Sequence, residues 1–325
     1  MEKVKFAILA PGDIANSMAQ AAGQLEEIEC LAVGSRDHGR AKAFADKWGF
    51  ERAYGSYEAL VEDPEVELVY VASPHSHHYP HAKLCLEHGK NVLLEKAFTV
   101  NAAQAEELIT LARNKGLLLA EAFWPRYMPS RKMIDDLIAQ GTIGEVYSVM
   151  ADFGAPLTHV ERLRNPELAG GALLDLGVYP LNFALQIFKE QVKEIRSGAV
   201  MSPEGVDWMN GMTLTFEDGK MAVLHSNMRA NMGNRGIVYG DKGHLEMGDL
   251  NNCSEIRVYD DDKRLAVCYP VPEQINGYEY EVLACARAIR AGQVECEEMP
   301  HSETLRLMKI LDAVREQWGM KFPCE

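Results

Sequence analysis

The chain has no CxxC pair and no HExxH helix, and its seven cysteines (Cys30, Cys85, Cys253, Cys268, Cys285, Cys296 and Cys324) are odd in number and scattered. Such a set excludes a disulfide framework and reads as buried or free thiols in a reducing compartment. Positive charge is scarce: 33 Lys and Arg against 48 Asp and Glu leave a formal net charge of -15. A chain so acidic repels nucleic acid and anionic membrane surfaces overall, although a few local Arg and Lys can still hold an anionic cofactor. No apolar run reads as long enough to span a bilayer. The opening MEKVKFAILAPGD passes straight into a glycine turn and does not read as a signal peptide. A cytoplasmic location is the expectation.

Against these absences stands an ordinary globular composition, with 47% hydrophobic and 25% charged residues over 325 positions. That is more chain than one core usually covers, so two domains are expected. Up to about residue 121, short apolar runs alternate with helical spacing. Runs at 4–10, 29–34, 66–72, 91–94 and 117–121 read as strands, and 14–25, 40–48, 80–87 and 101–114 read as helices. This rhythm predicts an α/β fold with a doubly wound parallel Rossmann sheet, and the continuous run VELVYVA suits a strand covered on both faces. Further on, strand-like segments at 146–153, 194–200, 212–216, 221–227, 236–240, 255–259 and 265–269 predominate, with helices near 173–187, 278–290 and 301–318. They predict an α+β domain with a large, mainly antiparallel open sheet. The boundary falls in AFWPRYMPS, giving a dinucleotide domain at 1–123 and a substrate-binding and dimerisation domain at 124–325.

The first strand–helix turn reads Ala10-Pro11-Gly12-Asp13-Ile14-Ala15. Its glycine and the free N–H groups opening the helix suit a pyrophosphate against Ala10, Gly12, Asp13 and Ile14, although only one glycine of the usual fingerprint is present. Roughly 20 residues on, where an NAD enzyme places an acidic residue for the ribose, stand Ser35 and Arg36, with Arg40 a turn later. Ser can hydrogen-bond a 2′-phosphate and Arg can grip it with two donors, which points to NADP, with NAD still possible. The same Arg36 also reads as a surface partner of Asp37. Lys96, after Glu95 at the end of a parallel strand, lies at the ligand edge of the sheet. It could orient a hydroxyl or lower a neighbouring acid's pKa, or simply pair with Glu95 at the surface. In Gly170-Gly171-Ala172-Leu173-Leu174-Asp175-Leu176-Gly177-Val178-Tyr179, two glycines suggest a flexible turn. A helix from Ala172 would set Asp175 and Tyr179 on one face. A carboxylate and a phenol so placed can hold a hydroxylated substrate and pass it a proton, or form a buried core pair. The run Pro74-His75-Ser76-His77-His78-Tyr79-Pro80-His81 invites zinc, but without matching Cys or HExxH it reads better as a loop over nicotinamide and ribose, with His77 and His81 facing solvent.

Taken together these motifs resemble the Gfo/Idh/MocA oxidoreductases, and among them the dimeric dihydrodiol dehydrogenase branch. The resemblance spans essentially the whole chain. It rests on the modified glycine turn, Ser35-Arg36, Ser73-Pro74-His75-Ser76-His77-His78, Glu95-Lys96, Glu121-Ala122-Phe123-Trp124 with Arg126, and the segment from Gly170 to Tyr179. It implies metal-free hydride transfer between NADP and a hydroxyl-bearing carbon of a sugar, polyol or cyclic trans-diol, in a homodimer formed through the open sheet face. Lys96 and Tyr179 would be the catalytic pair, with Asp175 fixing substrate. Ser35, Arg36 and Arg40 would hold the 2′-phosphate, and Ser73, Pro74, His75, His78, Glu95, Lys96, Trp124 and Arg126 would line the cofactor. Relatives usually carry Pro where Ala97 stands, Gly where Ala10 stands and often His where Tyr179 stands. Rival readings are a tightly held NAD doing redox-assisted hydrolysis or epimerisation, and a non-catalytic NADP-binding protein.

Overall fold

The computed structural model describes residues 2–325. The chain divides into two compact units, one running to Tyr127 and including Gln274–Met308, the other comprising Met128–Glu273 and Lys309–Glu325. The sequence suggests one crossing near residue 123; the chain instead returns to the first unit at Gln274.

In the first unit the elements alternate: β1 (Val4–Leu9), α1 (Asp13–Ala22), β2 (Ile28–Gly34), α2 (His38–Trp48), β3 (Arg52–Tyr54), α3 (Tyr57–Glu62), β4 (Leu68–Val71), α4 (His75–Glu87), β5 (Asn91–Glu95), α5 (Ala102–Lys115) and β6 (Leu119–Ala122). The six strands pair in parallel in the order β3-β2-β1-β4-β5-β6. The order reverses between β1 and β4, and the crevice beyond the strand ends at such a switch point is where open α/β sheets take ligands. All four residues of β4 and of β6 are buried, as a sheet covered on both faces requires. Side-chain caps start the helices: Asp37 accepts from the Arg40 amide, Ser56 from Ala59 and Asn101 from Gln104.

The second unit opens with α6 (Pro129–Ala139), where Pro129 starts the helix because the first position needs no N–H partner. Then come β7 (Val146–Gly154), α7 (Glu161–Arg164) and α8 (Val178–Ile187). Strands follow at β8 (Val192–Met201), β9 (Asp207–Phe216), β10 (Met221–Asn227), β11 (Gly236–Gly240), β12 (Gly243–Met247), β13 (Glu255–Tyr259) and β14 (Leu265–Pro270). They form one eight-stranded sheet in the order β14-β13-β12-β11-β7-β10-β9-β8, with β7 and β10 its one parallel pair among the described residues. β10 alternates strictly, Met221, Val223 and His225 exposed and Ala222, Leu224 and Ser226 buried, the pattern of a sheet covered on one face. The chain ends with α9 (Glu279–Arg290) and α10 (His301–Gln317).

Two expectations are corrected. Pro166–Ile187 is long and apolar enough to cross a membrane by length and composition, yet 94% of its most apolar 18-residue window, of mean hydropathy 1.3, is buried within the protein, so it is a core segment. The histidine run is not a loop but the start of α4, which begins at His75 rather than Pro80. Proline there blocks only one backbone hydrogen bond, and the helix runs through it.

Candidate active site

In the first unit the strand ends carry the expected nucleotide residues. β1 runs into Ala10, which adopts φ 67°, the left-handed region that glycine favours. The turn therefore keeps the glycine conformation without the glycine. Ala10 donates to the Gly34 carbonyl at 3.0 Å and Gly12 to the Ala10 carbonyl at 2.9 Å. A Cβ added at Gly12 would meet nothing within 4 Å. No side chain caps α1, and Asp13 and Ile14 are its first residues. An open approach to backbone and an uncapped helix N-terminus fit a dinucleotide pyrophosphate.

At the end of β2, Ser35 is buried and its Oγ accepts from the Asp37 amide at 3.3 Å. The Asp37 carboxylate accepts from the Arg40 amide at 2.8 Å. The acid that might have served a ribose is thus engaged as the α2 cap, while Arg36 and Arg40 are exposed. Past β4, Ser73 is buried with an unpartnered Oγ, and Pro74 precedes α4. His75 and His78 turn inward and meet edge to face at 5.5 Å. His78 is buried, with Nδ1 at 2.8 Å from the Ala97 carbonyl and Nε2 at 2.8 Å from the Ser73 carbonyl. Burial and His75 push its pKa down to about 3 against the pull of those carbonyls, so the ring is neutral at pH 7. It acts as a strut between two ligand-edge loops. His77 and His81, expected to face solvent, are both half-buried, and His81 packs on Tyr57.

Glu95 is buried, not a surface partner. It accepts from the Tyr70 hydroxyl and, at 3.0 Å, from the Lys96 amide. The Lys96–Ala97 peptide is cis. Trp124 lies flat on Tyr278 at 4.6 Å between ring centres and 5° between planes. Arg126, also buried, pairs with Glu303 at 3.1 Å.

In the second unit the segment before α8 is not a simple α-helix. Residues Leu173–Gly177 form one wide π turn, a form frequent at functional sites. Asp175 is buried and pairs with Arg162 at 3.1 Å. Tyr179, in the first turn of α8, stacks on Phe153 at 4.6 Å and 29°. The two glycines before the turn serve close approach rather than flexibility. A Cβ on Gly170 would come within 2.5 Å of the Leu163 carbonyl, and one on Gly171 within 2.4 Å of Asp207 Oδ1. Asp207, fully buried, accepts from the Leu173 amide at 2.9 Å and from Asn210 at 2.8 Å. It thereby anchors the start of the turn, and burial raises its pKa to about 6.

Residues 4–123 match the model of an oxidoreductase family with an NAD-binding Rossmann fold, and residues 132–246 match the Gfo/Idh/MocA C-terminal domain. The chain belongs to the Gfo/Idh/MocA oxidoreductase family. Among the relatives is trans-1,2-dihydrobenzene-1,2-diol dehydrogenase from Mus musculus, 34% identical over 98% of both chains. The enzyme of that name from Macaca fascicularis is 38% identical over 91% of both. A solved structure of KijD10, a 3-ketoreductase from Actinomadura kijaniata in complex with NADP and TDP-benzene, superposes with a TM-score of 0.89 at 29% identity, covering 97% of this chain and 98% of that one. Tyrosine-to-phenylalanine and lysine-to-alanine variants of that ketoreductase also match. Membership makes this chain an enzyme, an oxidoreductase that uses a nicotinamide dinucleotide.

The burial of several acids escaped the sequence reading. Glu121, fully buried in β6, accepts from Thr304 at 2.8 Å through one oxygen while the other has no partner. Burial raises its pKa to about 7. Glu281 of α9 is buried with neither oxygen partnered, and burial and Glu95 push its pKa well up. In sequence these acids, like Asp207, look like surface charges; only the return of the chain at Gln274 and the β9 register put them inside. No group of three or more His, Cys, Asp and Glu among the described residues is arranged to hold a metal ion.

Proposed function

We propose that this oxidoreductase prefers NADP(H) and moves a hydride to or from the hydroxyl or carbonyl carbon of a sugar, polyol or cyclic trans-diol. The observation that carries the cofactor preference is the engagement of Asp37 as a helix cap. It leaves Ser35, Arg36 and Arg40 as the polar groups at the ribose position, a set suited to a phosphate dianion and poorly suited to a bare 2′-hydroxyl. Bound NADP(H) supplies or accepts the hydride. Ala10, Gly12, Asp13 and Ile14 would receive the pyrophosphate, and Ser73, Pro74, His75, His78, Glu95, Trp124 and Arg126 would line the cofactor. Tyr179 takes the hydroxyl proton during oxidation and returns it to the forming alkoxide during reduction. Lys96 stabilises that oxygen by its charge. Asp175, steered by Arg162, fixes a second hydroxyl of the substrate. Names of relatives acting on a diol and on a ketone favour this substrate class.

We place the enzyme in the cytoplasm, since all seven cysteines are free thiols. We also propose a homodimer through the bare sheet face, where Tyr147, Met150, Met221 and Val223 lie exposed on β7 and β10. Titration of the protein with each reduced cofactor, followed by fluorescence, tests the reading. NADPH should bind at least ~10-fold more tightly than NADH, the difference one charge-assisted contact makes. Equal affinities, or tighter NADH, would overturn the preference.

A further inference from the structure

The other two histidines of α4, His77 and His81, stand in a cluster that the proposed chemistry leaves unused. The His81 ring meets Tyr57 of α3 edge to face at 4.7 Å and 66°, and His77 lies 5.5 Å from His81. His81 Nδ1 is buried without a hydrogen-bond partner. His77 Nδ1 is engaged by the Ser76 hydroxyl at 2.9 Å, which leaves Nε2 to other partners. Arg36, from the end of β2, acts electrostatically on both imidazoles and, with Arg40, on the Tyr57 phenol.

The charged and titratable groups facing the pair are Arg36 from the β2 end, Tyr57 and Glu58 from α3, and His78 from α4 itself, with Arg40 of α2 reaching Tyr57. Burial lowers both imidazoles; at His77 Arg36 adds to it, and at His81, pushed down to about 4, His77 and His78 add first and Arg36 after them, with Glu58 opposing. The free protein therefore keeps two uncharged imidazoles beside its exposed guanidiniums. A dianion seated on Arg36 cancels that guanidinium's share of the repulsion and adds an attraction of its own, which favours imidazolium.

We propose that His77 and His81, braced by Tyr57, form a proton-coupled extension of the 2′-phosphate site: a phosphomonoester held by Ser35 and Arg36 draws a proton from solvent onto this imidazole pair. This rests on the NADP reading above. The pair reads the phosphate as charge, and a ribose hydroxyl gives it nothing to respond to. No bond is made or broken beyond the proton transfer. His77 and His81 are specificity-determining residues for the cofactor and take no part in hydride transfer.

Calorimetric titration of the full chain at pH 7, in two buffers of different ionisation enthalpy, counts the protons. A phosphomonoester has its own second pKa near 6, so a grip by guanidinium alone lowers that value and releases a fraction of a proton. The inference requires the opposite sign: a net uptake of roughly half a proton with NADPH and near zero with NADH, as linkage to a raised imidazole pKa dictates. The ligand 2′,5′-ADP should behave like NADPH and 5′-AMP like NADH. His77→Gln and His81→Gln should each cut the uptake by at least half and weaken NADPH about tenfold, leaving NADH within about twofold. Net release by wild-type protein that still prefers NADPH would overturn the inference and leave the NADP reading standing, as would uptake unchanged in both variants. Equal affinity for the two cofactors would overturn both.

Discussion

The two sheets bury their strands in opposite ways. β4 of the first sheet has no exposed residue, whereas β10 of the second alternates residue by residue. A sheet covered on both faces can offer ligands only its edge, and the Ala10–Gly12 turn, Ser35-Arg36, Ser73-Pro74 and Glu95-Lys96 all stand at that edge. A sheet covered on one face can carry the wide turn and α8 on its packed side and keep the other for a partner. The division explains why the residues proposed to bind cofactor in the first unit sit on loops after strands, while Asp175 and Tyr179 of the second sit on a helical segment.

The sharpest way to break this comparison is to place the same charge on each sheet. Val69 is fully buried in β4 and Val223 is 43% exposed on β10. Val69→Asp should destabilise by at least about 4 kcal/mol, the penalty of an unpaired buried charge, and give little folded protein. Val223→Asp should cost the fold no more than about 0.5 kcal/mol yet eliminate the proposed dimer in sedimentation experiments. A Val223→Asp protein that still sediments as a dimer would remove the bare face from the interface.

A second test concerns the anchor of the wide turn. Asp207→Leu strands two donors, the Leu173 amide and the Asn210 side chain, and should destabilise by about 4 kcal/mol in denaturant titration. A loss below about 1 kcal/mol would mean that the turn holds its shape without that carboxylate.

The smallest effect is a pH dependence in the first unit. The folded pKa of Glu121 lies at about 7, above its usual 4.5, so between these values the folded state holds a proton that the unfolded state has released. Stability from this group is fully present below about pH 4.5 and is lost as pH rises to about 7, by up to about 3 kcal/mol. Glu121→Gln, which keeps the Thr304 contact, should remove that slope. Parallel stability–pH curves for variant and wild type would show that Glu121 titrates normally.

Much of this was legible in the sequence because the two burial regimes leave different signatures. VELVYVA announces a strand covered twice, and the alternation of MAVLHSN announces one covered once. The nucleotide turn, Ser35-Arg36 and Lys96 could be read because strand ends are punctuated by Gly, Ser and Lys. The Asp37 cap was harder, since a capping carboxylate and a ribose-binding one occupy the same place in the chain. The helical start at His75 was hidden by Pro80. The burial of Glu121, Asp207 and Glu281 was invisible because burial of an acid is decided by contacts far away in sequence. The wide turn at Leu173–Gly177 was misread as α-helix because both forms present the same apolar run.

The central claim is that the Tyr179 phenol moves the proton that accompanies hydride transfer. Single-turnover stopped-flow measurement on Tyr179→Phe, with NADPH and the best carbonyl substrate from a sugar, polyol and diol screen, tests it most directly. NADPH should bind within about twofold of wild type while the hydride-transfer rate falls at least ~10²-fold, the usual scale of acid–base catalysis. A Tyr179→Phe enzyme that oxidises NADPH at the wild-type rate would contradict the account.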